Sequence, residues 1–182
     1  PFFTTLNKNK MALTTLSVGN ADHFAKGGVK KMTLGTFDST LAFTVGSDHD
    51  VTGFVNSATT YVIEFEKETA KLATSTSQEK GLSMTTANIE CYIPKMAKDR
   101  FKVLEALKGQ SLYGAIEMWN GEKLLVGWDN VLGDSTAGEI TSDFALFLEG
   151  IDGESGGALA DANGITLKLM AVQGEELREY AV

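Results

Sequence analysis

A single cysteine, Cys91, and only two prolines occur in the 182 residues. One thiol excludes an intrachain disulfide, so nothing in the chain demands an oxidising compartment. Two prolines beside 19 glycines point to hairpin turns and bulges rather than a disordered linker. Basic residues are scarce as well, 16 against 24 acidic ones, for a net charge of −8. A protein that grips nucleic acid by neutralising phosphates carries the opposite excess. An acidic protein sits beside nucleic acid only where its task is to repel it. No apolar run approaches the ~20 residues that cross a bilayer as a helix. The opening Pro1-Phe2-Phe3-Thr4 lacks the basic flank and apolar core of a signal peptide. The expectation is synthesis in a cytoplasm, with no membrane partner. No phosphate loop, dinucleotide fingerprint or zinc spacing is present, so neither cofactor nor metal is expected.

What is there reads as one domain spanning 1–182. Hydrophobic residues make up 43% and charged residues 22%, the balance of a chain with a packed core. In residues 1–28 the apolar positions Phe2, Phe3, Leu6, Met11 and Leu13 follow no sustained period, which predicts an N-terminal arm. Strand signals dominate a core over 29–172. Val29–Phe37 and Ser39–Val45 are short runs rich in Thr, Val, Leu and Phe. The polar stretch Gly46–Ala58 reads as a long loop. In Thr59–Glu66, Tyr61, Ile63 and Phe65 alternate with Val62, Glu64 and Glu66, as in a strand with one wetter face. Lys71–Ser75 either continues that strand or turns it. Leu82–Ile93 is a long strand.

The spacing of Phe101, Leu104 and Leu107, with Met96 and Val103 beside them, predicts one helix over about 95–108, bracketed by Pro94 and Gly109. Leu112–Trp119 and Lys123–Trp128 flank Asn120-Gly121, a strong hairpin signal. Glu139–Ile151 and Ile165–Val172 complete the strands, separated by a Gly-rich Asp152–Gly164, and 173–182 forms a charged tail. The sum is a mainly β chain: a sandwich or barrel of about eight strands with one flanking α-helix. Its expected core includes Tyr61, Ile63, Phe65, Leu104, Ile116, Trp128, Phe144, Leu146 and Leu167.

Few residues suggest chemistry. Gly153-Glu154-Ser155-Gly156-Gly157 fits the Gly-x-Ser-x-Gly nucleophile elbow. That elbow needs a histidine after the serine and alternating strands and helices; both histidines, His23 and His49, precede Ser155. The same residues resemble the Gly-Asp-Ser-Gly-Gly loop of chymotrypsin-like serine proteases, with Ser155 as nucleophile. Neither His49, in Gly46-Ser47-Asp48-His49-Asp50, nor His23, in Ala21-Asp22-His23-Phe24, sits in the neighbourhood those enzymes use. A flexible Gly/Ser loop is the plainer reading. Asp48-His49-Asp50 cannot turn three successive side chains onto one metal ion in an extended chain. Cys91 reads as a small core residue. The acids Glu64, Glu66, Glu117, Glu139, Asp143 and Glu149 fall in or beside strands; they form either an ordinary wet face or an acidic wall.

The second half has a recognisable element order. A long strand (Leu82–Ile93) runs into the helix Met96–Leu107. A strand, Asn120-Gly121 and a strand ending Leu125-Val126-Gly127-Trp128 follow, and later Asp161-Ala162-Asn163-Gly164-Ile165-Thr166-Leu167-Lys168-Leu169. Over about Thr59–Ala171 this resembles the tail tube proteins of long-tailed bacteriophages. The resemblance implies a β-sandwich with one flanking helix that assembles into stacked hexameric rings. It also implies a virion location, other tail proteins as partners, arms and a long loop that clasp neighbouring subunits, and no catalytic residues. DNA would pass through the channel without specific binding, repelled by wall acids, with Glu64, Glu66, Glu117 and Glu149 as first candidates. Tail terminators, baseplate hubs and contractile injection tubes share these features.

Overall fold

The computed structural model describes residues 27–37, 41–45, 51–55, 58–79, 81–128, 144–156, 163–174 and 176–180. The elements run β1 (Val29–Thr36), β2 (Ala42–Val45), β3 (Val51–Val55), β4 (Thr60–Ile63), β5 (Lys71–Glu79), β6 (Leu82–Pro94), α1 (Lys98–Leu107), β7 (Leu112–Met118), β8 (Lys123–Val126), β9 (Phe147–Glu154), β10 (Gly164–Gln173) and β11 (Arg178–Glu179). Among the described residues the chain is mainly β with one helix, as its strand signals imply. The strands form a five-stranded sheet ordered β11-β8-β7-β1-β4, a four-stranded sheet ordered β5-β6-β10-β9, and a separate hairpin β2-β3. All pairings between these strands are antiparallel.

Alternation decides which side chains face inward. From the five-stranded sheet, Met32, Leu34, Ile63, Ile116 and Val126 enter the core; from the four-stranded sheet, Ala87, Ile89, Cys91, Ile93, Ile165, Leu167, Leu169 and Ala171 meet them. The two inner faces thus share one apolar cluster, the arrangement of a sandwich. Of the expected core, Ile63, Leu104, Ile116, Leu146 and Leu167 are buried. Tyr61 and Phe65 are half-buried against the same cluster, and Phe144 is half-buried. Buried Gln173 ties the sheets with polar contacts: its side-chain oxygen accepts from the Gly127 N–H at 3.3 Å and its amide donates to the Glu176 carbonyl at 3.4 Å.

The helix begins three residues later than its period suggests. Lys95 adopts a left-handed φ of 68°. The N–H groups of Lys95 and Met96 donate to the Asn163 carbonyl and side-chain oxygen, so this stretch serves as a connection instead. Leu104 and Leu107 are buried, but Phe101 and Val103 are 38% and 41% exposed. Successive steps of three residues fall ~60° short of a full circle on a 3.6-residue helix, so Phe101 lies about 120° round from Leu107.

Several boundaries shift because strand pairing is a tertiary matter. The expected Gly46–Ala58 loop contains β3, which pairs with β2 as a hairpin; residues 46–50 and 56–57 lie outside the described residues. Leu146 pairs in isolation with Leu112 of the five-stranded sheet, and the chain then crosses to run as β9. Asp152-Gly153-Glu154, expected in a Gly-rich loop, extend β9 because Thr166, Ile165 and Gly164 stand opposite them. Lys71–Ser75 opens the nine-residue β5. The charged tail supplies β11, which pairs with β8. The Asn120-Gly121 turn forms, with one change. Only Gly121 takes a positive φ, of 97°, the Gly121 N–H donates to the Met118 carbonyl, and Met118 N–H donates to that of Glu122. That is a three-residue loop with its glycine in the left-handed position rather than a two-residue turn.

The β2-β3 hairpin lies on the outer face of the five-stranded sheet. Leu41 and Val51 from the hairpin region meet Tyr113 and Leu125, with Phe37, Phe43, Trp128 and Tyr180 packed around them. Phe43 stands edge-on to Tyr113 at 6.2 Å and tilted against Trp128 at 4.6 Å. Val51 is fully buried. Part of the expected Gly46–Ala58 loop is thus packed on the chain's own core.

Candidate assembly surface

With the outer face of one sheet occupied by the hairpin, the open side of the sandwich belongs to β5-β6-β10-β9. Its outward positions follow from the register. Lys71, Glu90, Lys168 and Gly150 form one cross-strand row. Ala73, Asn88, Met170 and Phe147 form another, and Ser75, Thr86 and Val172 a third. The first row carries charge, and the other two mix apolar with uncharged polar residues. Met170, Val172 and Phe147 are 37%, 38% and 46% exposed.

The edges matter as much as the face. Among the described residues, β5 and β9 each have a strand on one side only. They are nine and eight residues long. Three antiparallel steps separate them, so β5 and β9 run in opposite directions. A free edge is a row of unpaired N–H and C=O groups, ready to template another strand. Opposed directions let β9 of one copy pair antiparallel with β5 of the next while every copy keeps the same orientation.

One pair of charges on the face is in direct contact. Lys168 Nζ lies 2.7 Å from the Asp152 carboxylate. Its ammonium pKa is raised, first by that hydrogen bond and then by the charges of Asp152, Glu90 and Glu149. Outward positions of the sheet also include Glu154, opposite Gly164. Among the described side chains, three acids, Glu90, Asp152 and Glu154, thus share the face with two bases, Lys71 and Lys168.

The acids singled out in the sequence are not brought together. Glu64 and Glu66 follow β4 and are exposed in the connection to β5. Glu117 lies on β7 of the other sheet, opposite Lys31 and Lys123. It is ion-paired with Lys30, and its carboxyl is held below the usual range, first by that hydrogen bond and then by the charges of Lys30, Lys123 and Lys31. Glu149 alone belongs to the four-stranded sheet, at the bulge between the Lys168 and Leu169 pairings. Glu139 and Asp143 lie outside the described residues, as do His23 and His49 with its flanking aspartates. Alternation through Ala87–Ile93 marks Glu90 as outward, but no sequence signal shows that Lys71 and Lys168 flank it.

Ser155 lies just past β9, exposed, with its hydroxyl 3.4 Å from the Gly156 carbonyl. A backbone carbonyl takes a proton bond but supplies no general base, so this contact does not activate the serine. Cys91 is buried, and its thiol is pushed up to about 12 by burial, with the Glu90 charge adding to the shift. Among the described residues no cluster of three potential metal ligands occurs, and no helix is long and apolar enough to cross a membrane. No family model, curated protein or solved structure matches the chain.

Proposed function

We propose that the chain is a structural subunit that closes into rings by pairing β9 of each copy with β5 of the next, and that these rings stack as the tube of a phage tail. The observation that carries this reading is the four-stranded sheet, whose long, oppositely directed end strands each have a partner on one side only among the described residues, and its exposed outer face. A monomer with such edges invites uncontrolled pairing, whereas closure into a ring removes both at once. In a ring, the repeated sheets form one antiparallel wall. The element order shared with tail tube proteins sets the expected copy number at six and the location in the virion. Other tail proteins would then cap the tube.

The channel face is small and polar where it is not apolar. Its described lysines sit beside acids on the same rows, and Lys168 is engaged with Asp152. Among the described residues, DNA phosphates there meet three acids, Glu90, Asp152 and Glu154, against these two lysines. At physiological salt, charges act over about 8 Å, so acids on the wall matter and acids elsewhere do not. This moves the repelling role from Glu64, Glu66 and Glu117 to the outward acids of β6 and β9.

Negative-stain microscopy with sedimentation tests the reading. Wild-type protein is expected to form rings or tubes. Ser75→Lys with Ser77→Lys, two exposed positions on β5, should give a folded monomer because edge lysines block strand addition. A wild-type chain that stays monomeric at every concentration overturns the ring. Normal tubes from the lysine variant overturn the edge.

A further inference from the structure

Backbone edges alone do not say where β5 of one copy stops along β9 of the next; outward side chains do. Lys71, Ala73, Ser75 and Ser77 lie on the outer face of β5, and Gly150, Asp152 and Glu154 on that of β9. A slip of one residue would turn one outward set inward, so registers that keep a single face differ by steps of two. Three of them overlap the strands well. They set Glu154 opposite Lys71, Asp152 opposite Lys71, or Glu154 opposite Ala73.

Charge separates the three. Lys71 stands beside Glu90 in its own chain, and Glu90 beside Lys168. Glu154 opposite Lys71 extends that row across the join as acid, base, acid, base. Both side chains are exposed, and among the described residues neither has an ion pair. Asp152 is a poorer partner, because Lys168 of its own copy already holds it at 2.7 Å. Ala73 opposite Glu154 leaves Lys71 past the end of β9.

Geometry agrees. With Glu154 opposite Lys71, Gly150 meets Ser75, so a row that starts at Lys71 enters the next copy at Ser75, four residues along. Four residues at ~3.3 Å over four strand spacings at ~4.8 Å give a slant of about 35°. Closed barrels tilt by about 35–45°, and this slant is the same for any number of copies. Asp152 opposite Lys71 halves the climb and gives about 19°, too flat for such a wall. Four strands per copy also keep hydrogen-bonded and non-hydrogen-bonded pairs alternating along the row through the join.

We propose that Lys71 of one copy and Glu154 of the next form the ion pair that sets the register of the ring; this rests on the ring reading and specifies its contact. Carbodiimide coupling of assembled wild-type protein, read by mass spectrometry, tests it. The reagent joins an amine to a carboxylate in direct contact. A Lys71–Glu154 amide is expected in rings and not in monomers, since three strand spacings, ~14 Å, separate β5 from β9 within one chain. Rings that give a Lys71–Asp152 amide instead, or no amide from Lys71 to another copy, overturn this register.

Charge reversal supplies a second readout. Lys71→Glu alone and Glu154→Lys alone, both at exposed positions, should each raise the concentration at which rings appear by roughly tenfold, because like charges then stand opposite one another. Mixed in equal amounts, the two variants should assemble as wild type does, since alternating copies restore an opposite pair at every join. Rings from either variant at the wild-type concentration, or a mixture that stays monomeric, overturn the ion pair and leave the ring standing. Wild-type protein that never assembles overturns both.

Discussion

Gly35 of β1 stands directly opposite Tyr113 of β7. A methyl group placed on it would lie 2.3 Å from Cζ and Oη of the tyrosine and 2.5 Å from Cε1. Non-bonded carbons rest at about 3.5–4.0 Å, so Gly35→Ala asks the ring to retreat by roughly 1 Å. It has little room to do so. Tyr113 is fully buried and meets Phe37 edge-on at 5.9 Å and Phe43 at 6.2 Å. Overpacking of this kind costs roughly 1–3 kcal/mol. Loss of glycine freedom in the unfolded chain returns about 0.4–1 kcal/mol. The net expectation is a destabilisation of about 1–2 kcal/mol, read as a lower urea midpoint at unchanged slope. Tyr113→Leu removes the ring end that blocks the methyl, at its own cost of about 2–4 kcal/mol for lost volume. In that background Gly35→Ala should cost nothing measurable. A cycle in which the two changes add within about 0.5 kcal/mol refutes the clash as the reason for glycine here. Near-ultraviolet circular dichroism should report the same coupling, since Phe37, Phe43, Tyr113 and Trp128 share one cluster.

Other consequences are open to similar measurement. Leu167→Ala, at a fully buried position between the sheets, should cost about 2–5 kcal/mol in chemical denaturation; a change below about 1 kcal/mol would mean the sandwich core lies elsewhere. Cys91, its thiol pushed up to about 12 by burial, should resist a disulfide-exchange reagent in the native state and react once the chain is unfolded in urea; prompt native labelling would contradict its place in the core. Glu117, whose carboxyl is held low by Lys30, stabilises the fold at pH values above its unfolded pKa near 4.5 and loses that contribution as pH falls through its lower folded value. Glu117→Gln should therefore lower neutral-pH stability by about 0.5 kcal/mol, because the pair is partly exposed, and should converge with wild type in acid. A gap that persists unchanged to pH 2–3, below the usual carboxylate range, argues for packing rather than charge.

The class of fold was legible in the residues alone. Strand-favouring runs over Leu82–Ile93 and Ile165–Val172 mark strands, and the alternation that begins at Tyr61 marks β4, which stops at Ile63 although the pattern continues to Glu66. Glycine after asparagine at 120–121 marks a turn, because Gly121 must take a positive φ. A single run with helical spacing marks α1. Those are local rules, and local rules survive without knowledge of partners. Pairing is not local. That Lys71 and Lys168 flank Glu90, that Glu117 belongs to the opposite sheet from Glu149, and that Asp152–Glu154 run as strand rather than loop all depend on residues tens of positions away. Likewise, the polar look of Gly46–Ala58 hides Val51, which is buried only because Tyr113 and Leu125 present an apolar outer face for the hairpin to cover. The same holds for the edges. No sequence pattern says which strands end a sheet; only the assembled order leaves β5, β9 and β4 with a neighbour on one side alone among the described residues, and such an edge is where a partner strand can be added.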